Sequence, residues 1–440
     1  MKARLVLCLF TLVNLTLSQA QSDLLQSGPM LGYSEMREVM LWVQTSRPAQ
    51  VQVAYWPAEE KNKRMLTDKV STQESEAFTA HLVADQLEPG IQYTYELLIN
   101  DKAVKLDYPT TFRSQELWQW RKDAPDFSVA IGSCAYINEE PYDRPGRPYG
   151  GEYEVFNQIY QAKPDAMIWL GDNIYLREVD WFTRTGIHKR YTHSRSIPEL
   201  QPLLASTNHY AIWDDHDFGP NDSDRSFIHK DKTLEAFKLF WGNPSYGLPN
   251  QEGGITSYFQ YNDVDFFLLD NRYFRSPNRR ETGEKTILGK EQLEWLVDAL
   301  CFSNAAYKVV CIGGQVLNTA AAYENYANHH HEERAYLLQQ IEENNIKNVI
   351  FLSGDRHHSE LSKLVNAKGN TVYDFTASPL TSGVSTNSEE QNALRVANTW
   401  AGAHSFGLME FSGPRDARKL KMTLRNAQGE TLWAHEITRE

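Results

Sequence analysis

The stretch Pro164-Asp165-Ala166-Met167-Ile168-Trp169-Leu170-Gly171-Asp172-Asn173-Ile174-Tyr175 decides how the chain is read. Its apolar run, Ala166 to Leu170, is bounded by a proline and a glycine, the pattern of a strand buried in a parallel sheet. A carboxylate, Asp172, follows at once, and Tyr175 comes just beyond. In open α/β sheets the site lies beyond the carboxyl ends of the strands, so Asp172 is expected at that edge. Four other apolar runs end the same way, in Cys134, in Asp214-Asp215-His216-Asp217, in Asp270, and in Asp355-Arg356-His357. Packing does not call for such repetition. It predicts a metal site.

Outward from that stretch, apolar runs alternate with amphipathic segments from Phe127 onward, which predicts an α/β domain over 127–440. Strands are expected at 128–131, 166–170, 210–213, 265–269, 308–312 and 348–352, and helices around 152–162, 232–240, 290–300 and 332–344. Residues 24–114 read differently. Alternating runs from Glu38 to Thr45 and from Ala49 to Trp56 precede a turn at Leu87-Glu88-Pro89-Gly90 and the strand Tyr93-Thr94-Tyr95. Short strands at this spacing predict an all-β sandwich, immunoglobulin-like or fibronectin-like. Gln115 to Asp126 is the expected linker.

The length of 440 residues favours two domains, and a hydrophobic content of 41% suffices for packed cores. A formal charge of −13 argues against general nucleic-acid binding, which needs a basic footprint. It leaves an anionic substrate open, because metal ions reverse the local potential in a cleft. Residues 1–20 carry Lys2 and Arg4, an apolar stretch from Leu5 to Leu17, and small residues at Ser18-Gln19-Ala20. That predicts a secretory signal peptide and an exported protein, periplasmic or extracellular. Cys8 is disfavoured as a lipid-attachment site, and no later segment reaches membrane-spanning length. Cys134, Cys301 and Cys311 then remain, an odd number that leaves at least one thiol unpaired or bound. Cys134, at a strand end, is the candidate metal ligand.

Clustered carboxylates repel one another unless cations neutralise them. The loop Asp214-Asp215-His216-Asp217, flanked by Trp213 and Phe218, is therefore read as a metal or catalytic element rather than a solvated acidic loop. Asp355 and His357 share an alternation and are expected to point the same way, which favours His357 over His358 as a ligand. With Cys134, Tyr175 and Asp172 they form a set of thiolate, phenolate, carboxylate and imidazole. Phenolate favours ferric iron, whereas Asp215 and Asp355 suit calcium, magnesium or manganese. Asp172, shared by two ions, would hold them about 3.5–4 Å apart. Arg272 is either an oxyanion partner or an ion pair of Asp270. The tract His329-His330-His331 reads as a solvated helix cap. No nucleophile elbow and no glycine-rich phosphate loop is present.

Gly132-Ser133-Cys134, Gly171-Asp172-Asn173-Ile174-Tyr175, Trp213-Asp214-Asp215-His216-Asp217 and Gly354-Asp355-Arg356-His357, in that order, resemble the alkaline phosphatase D (PhoD-like) branch of the calcineurin-like metallophosphatases. Where the wider superfamily carries a histidine after the fifth strand, Gln315 or Asn318 stands here. The resemblance implies a four-layer αββα domain behind the sandwich and a dinuclear or multinuclear centre of Fe(3+) with Ca(2+) or another divalent ion. Its metal ligands would be Cys134, Asp172, Tyr175, Asp215, Asp355 and His357, its catalytic residues His216 and Asp172, and its substrate contacts Arg272 and Asn173. It further implies hydrolysis of small phosphate esters, monoester or diester, by a metal-activated hydroxide, and a monomer is expected. Two alternatives stand beside this: a phosphodiesterase for phospholipid head groups, and a non-enzymatic secreted binding module.

Overall fold

The computed structural model describes residues 24–323 and 325–440. The expected signal peptide, with Cys8, lies outside the described residues. No helix among those described is long and apolar enough to cross a membrane. The chain forms two compact units, one of residues up to Leu117 joined by 195–208, the other of residues 118–194 and 209–440.

In the first unit the alternation of Gln50–Pro57 and Gln92–Ile99 turns Val51, Val53 and Tyr55 inward with Tyr93, Tyr95 and Leu97. These strands pair antiparallel, Val53 opposite Leu97. A second sheet, Leu25–Ser34, Val39–Thr45 and Thr79–Ala84, adds Leu31, Leu41 and Leu82 to the same core. Tyr93 stacks on Phe112 with ring centres 5.3 Å apart. This is the sandwich expected of residues 24–114. It also holds a segment that the domain reading assigned to 127–440. Residues 195–208 are tied in where Ser27 Oγ donates to the Arg195 carbonyl at 2.7 Å and Tyr95 Oη to that of Ala205 at 2.7 Å. The Arg195 guanidinium lies 5.3 Å over the Trp42 ring.

The second unit is built of two mixed sheets. In one, Phe127–Gly132 runs parallel to Ala166–Leu170 and antiparallel to Ser405–Ser412, whose hairpins continue through Lys419–Asn426 and Thr431–Thr438. Asn208–Ile212 flanks Ala166–Leu170 on its other side. In the other sheet, Val264–Leu268, Tyr307–Cys311, Val349–Ser353 and Thr371–Thr376 are parallel neighbours. These strands are buried along their whole length, or nearly so, which is why they read as continuous apolar runs rather than alternating ones.

Aromatic rings join the two sheets: Tyr210 stacks on Phe259 at 3.7 Å, and Phe375 meets Trp433 at 4.9 Å. On the outer face of the second sheet, Lys290–Phe302 and His331–Glu343 bury Leu293, Leu296, Leu337 and Ile341 against Val310 and Phe351. On the outer face of the first, Phe156 of Glu154–Ala162 packs against Trp169 at 6.0 Å. The order helix, sheet, sheet, helix gives four layers. Loops leaving both sheets meet closely. A Cβ at Gly171, whose φ is +93°, would lie 2.7 Å from that of Asp214, and one at Gly354 would lie 2.5 Å from Ser133 Cβ.

Candidate metal centre

Those loops carry the chemistry. Cys134 N donates to the Gly171 carbonyl at 3.2 Å and Ala135 N to that of Asp172 at 2.8 Å, locking two strand ends together. Cys134, Asp172, Asp355 and His357 all have positive φ, between 51° and 66°. Left-handed backbone disfavours residues with a Cβ by about 1–2 kcal/mol each. Four such residues at one rim mark a site whose geometry overrides local preference.

Donor atoms of Cys134, Asp172 and His357 lie within 4.8 Å of one another, and so do those of Asp172, Asp215 and His216. Asp172 belongs to both groups. Tyr175 stands beside the first, its hydroxyl 3.3 Å from His357 Nε2. Its ring packs at a tilt on His216, with centres 4.3 Å apart. Asp172, Asp215, His216, Asp355 and His357 line a cavity of about 620 Å³.

The electrostatics are those of surplus negative charge. Burial pushes the Asp172 carboxyl well above the usual range, and Asp215 and Cys134 push it further. Burial raises the Cys134 thiol to about 12, with Asp355 adding to it. Asp215 resists the same burial because His216 and Arg272 hold it low, yet its Oδ1 is buried without a hydrogen-bond donor. A thiol, a phenol and crowded carboxyls that are hard to ionise alone are what a cation would ionise. The donors fit one ion near Cys134, Tyr175 and His357 and a second near Asp215, with Asp172 between.

The acidic loop divides its labour. Asp215–Phe218 is one helical turn. Asp217 is fully buried and accepts the amides of Asp214 at 3.0 Å and Asn173 at 3.1 Å, so it shapes the loop behind Asp172 rather than facing the cavity. Burial lifts its carboxyl to about 8. Asp214 is ion-paired with Arg272 and accepts from Asn271 Nδ2 at 2.8 Å. Only Asp215 and His216 of the four reach the cavity wall.

Several expected roles change. Arg272 does not line the cavity. It is buried on Asp214, with Asp215 3.8 Å away, and its backbone amide donates to Asp270 Oδ1 at 2.9 Å. Its place is to hold the acidic loop, not substrate. Asn173 likewise turns inward, giving Nδ2 to the Ile212 carbonyl at 2.7 Å. Asp355 lines the cavity but falls outside both donor groups. His216, expected as a catalytic group, is also close enough to be a ligand. His357 reaches the donors and His358 does not, but alternation is not the reason, since Asp355 and His357 are both left-handed rather than extended. His358 is buried, with Nε2 3.9 Å from Glu360. The solvated cap at 329–331 is also corrected. His330 is buried, 3.3 Å from Ser276 Oγ, and His329 lines the cavity.

Other contributors left no mark in the strand pattern. Tyr149 Oη lies 3.3 Å from His357 Nδ1, fixing the ring from its far side as outer partners of ligating histidines do. Ser378 Oγ donates to Cys134 Sγ at 3.2 Å. Both sit in segments without periodicity. Gln315 is buried in a polar network under the cavity, its amide on Glu360 Oε1 at 2.8 Å.

Residues 129–419 match the family model described as PhoD-like phosphatase, and residues 22–117 match one described as a domain of unknown function, DUF7800. Alkaline phosphatase D of Bacillus subtilis (strain 168) is 22% identical over 339 residues, 66% of this chain and 54% of that protein. The chain thus spans about half the length of this curated relative. A solved structure described as that of PhoD has a TM-score of 0.78 at 17% identity, covering 95% of this chain and 91% of that one, a likeness of fold.

Proposed function

The chain belongs to the PhoD-like phosphatase family, and on that premise we propose that it is an exported hydrolase of phosphate esters whose centre holds two cations. The observation that carries the reading is the double membership of Asp172 in two donor groups. Cys134, Tyr175 and His357 supply soft, phenolic and imidazole donors suited to ferric iron, and Asp215 a hard oxygen suited to calcium or another divalent ion. Bound there, such ions would lower the pKa of water and offset charge on the phosphate oxygens.

The chain's own groups do the rest. Tyr149 and Tyr175 fix the His357 ring from either side. Arg272, through Asp214, and Asp217, through the amides of 173 and 174, hold the two acidic loops in register. His216 faces the cavity, where it can donate a hydrogen bond to a phosphate oxygen or pass a proton to the leaving group. The basic, apolar and small-residue pattern of residues 1–20 supports export.

Elemental analysis paired with chromogenic monoester and diester assays tests this. Stoichiometric iron with a divalent ion is expected, with turnover that chelation removes. Protein that hydrolyses esters equally well when stripped of metal rejects the dinuclear reading. Tyr175→Phe should abolish a phenolate-to-iron absorption band; a band that survives removes Tyr175 from the ligand set.

A further inference from the structure

Away from the cavity, the second unit gathers positive charge that a chain of net −13 would not otherwise be expected to concentrate. A cleft of about 440 Å³ is lined by Trp118, Trp120, Arg121, Arg415 and Arg439, among others. The two carboxylates in its wall are engaged: Asp123 accepts the Arg415 amide at 3.3 Å, and Asp263 is paired with Arg418 at 3.0 Å. Arg121 uses Nη1 on the Gln119 carbonyl and Arg439 uses Nη1 on that of Arg415. Among the described residues no carboxylate is ion-paired with Arg121, Arg415 or Arg439; Asp263, held by Arg418, also feels the charge of Arg439. Three guanidinium groups therefore face one cleft with most of their donors open.

Beside it lies a second cleft of about 610 Å³ that shares Trp118 and Asn304 with the first and adds Tyr258, Trp295 and Phe302. Trp120 is 97% exposed and Phe302 86%. Trp120 is held out on left-handed backbone at φ 65°, in a turn closed by Arg121 N and Lys122 N on the Trp118 carbonyl at 2.9 and 3.1 Å. An indole kept in solvent by a built turn is not a packing residue.

We infer that this face docks on a membrane surface rich in anionic phospholipid. The guanidinium groups would meet lipid phosphates, which their forked donors match. Trp120 and Phe302 would enter the interfacial layer, where aromatic rings concentrate. Charge complementarity selects this occupant: an acidic polypeptide would satisfy the arginines and leave the exposed rings in water, whereas a lipid surface takes both. The net acidity of the chain orients the approach, because this basic face is attracted within a Debye length of a negative bilayer.

Vesicle sedimentation with the mature, metal-loaded protein tests the assignment. Vesicles of phosphatidylcholine alone are compared with vesicles holding about 30% phosphatidylglycerol, at about 0.1 M and 0.5 M salt. Sedimentation is expected only with the anionic vesicles and only at low salt. Arg415→Ala and Arg439→Ala should each weaken it about fivefold, and the pair Trp120→Ala and Phe302→Ala should weaken it while leaving the salt dependence intact. Hydrolysis of a soluble ester should be unchanged in every variant, which also shows that they fold. Equal binding to both vesicle types, or full binding when Arg415→Ala and Arg439→Ala are combined, overturns the inference. Binding to polyglutamate that survives loss of both rings would assign the face to an acidic protein instead, and would equally overturn it.

Discussion

Two buried acidic clusters lie in the second unit, and they differ in how their charge is answered. Around Glu360, Gln315 Nε2 donates to Oε1 at 2.8 Å and Asn392 Nδ2 at 2.9 Å, while Arg395 pairs with Oε2. Against the upward push of burial, His358 and Arg395 hold that carboxyl to about 2. Around Asp172, burial is reinforced by Asp215 and Cys134, and the carboxyl is pushed up. In the first cluster the carboxylate charge is answered by the chain's own groups. The second gives Asp172 no positively charged partner of comparable effect, which is where the proposed cations would act. A buried charge is retained where its partners are present, so a carboxyl set lacking them points to a partner from outside the chain.

Asp172→Asn puts that contrast to its severest test. Turnover should fall about a thousandfold or more, since a neutral amide bridges two cations poorly. Elemental analysis should show both ions reduced, and the metal-free protein should be no less stable than its parent. A loss of stability in the stripped variant would make Asp172 structural and erase the distinction. Glu360→Ala should do the opposite, destabilising by up to about 3 kcal/mol in urea because Arg395, its side chain 17% exposed, loses its partner, with metal stoichiometry unchanged.

The same contrast has a pH signature. Because the folded pKa of Glu360 is depressed to about 2, its contribution to stability is fully present above the unfolded value of 4.5 and is lost as pH falls towards 2. Glu360→Gln should flatten the acid limb of the stability profile in that window, and an unaltered limb would deny the network its role. His216→Ala should cost about a hundredfold in turnover. Retained metal assigns His216 to catalysis, and lost metal moves it into the ligand set. The smallest effect is expected of Tyr149→Phe, about tenfold in metal affinity, because only an outer hydrogen bond to His357 is removed.

Legibility tracked sequence distance. The sandwich and the parallel strands were readable because alternation and continuous apolar runs are local signals. Strand-end residues such as Cys134, Asp172 and Asp215 were readable for the same reason, since topology delivers them to one rim. The place of Arg272 is not legible locally, because its partner Asp214 lies on another strand end. The Glu360 cluster leaves no local signal, its partners Gln315 and the pair Asn392 and Arg395 standing on two other segments. Residues 195–208 fold with the first unit through bonds to Ser27 and Tyr95, which no pattern within that short segment announces.

The left-handed backbone of Cys134, Asp172, Asp355 and His357 has a consequence for anyone who wishes to move this centre. Copying these side chains onto another protein's sheet edge, even with Tyr175, Asp215 and His216 added, would aim them wrongly, because the aim resides in the main chain. A transplant would have to carry the whole loops, glycines included, and a library varying those four positions should favour asparagine and glycine while rejecting β-branched residues.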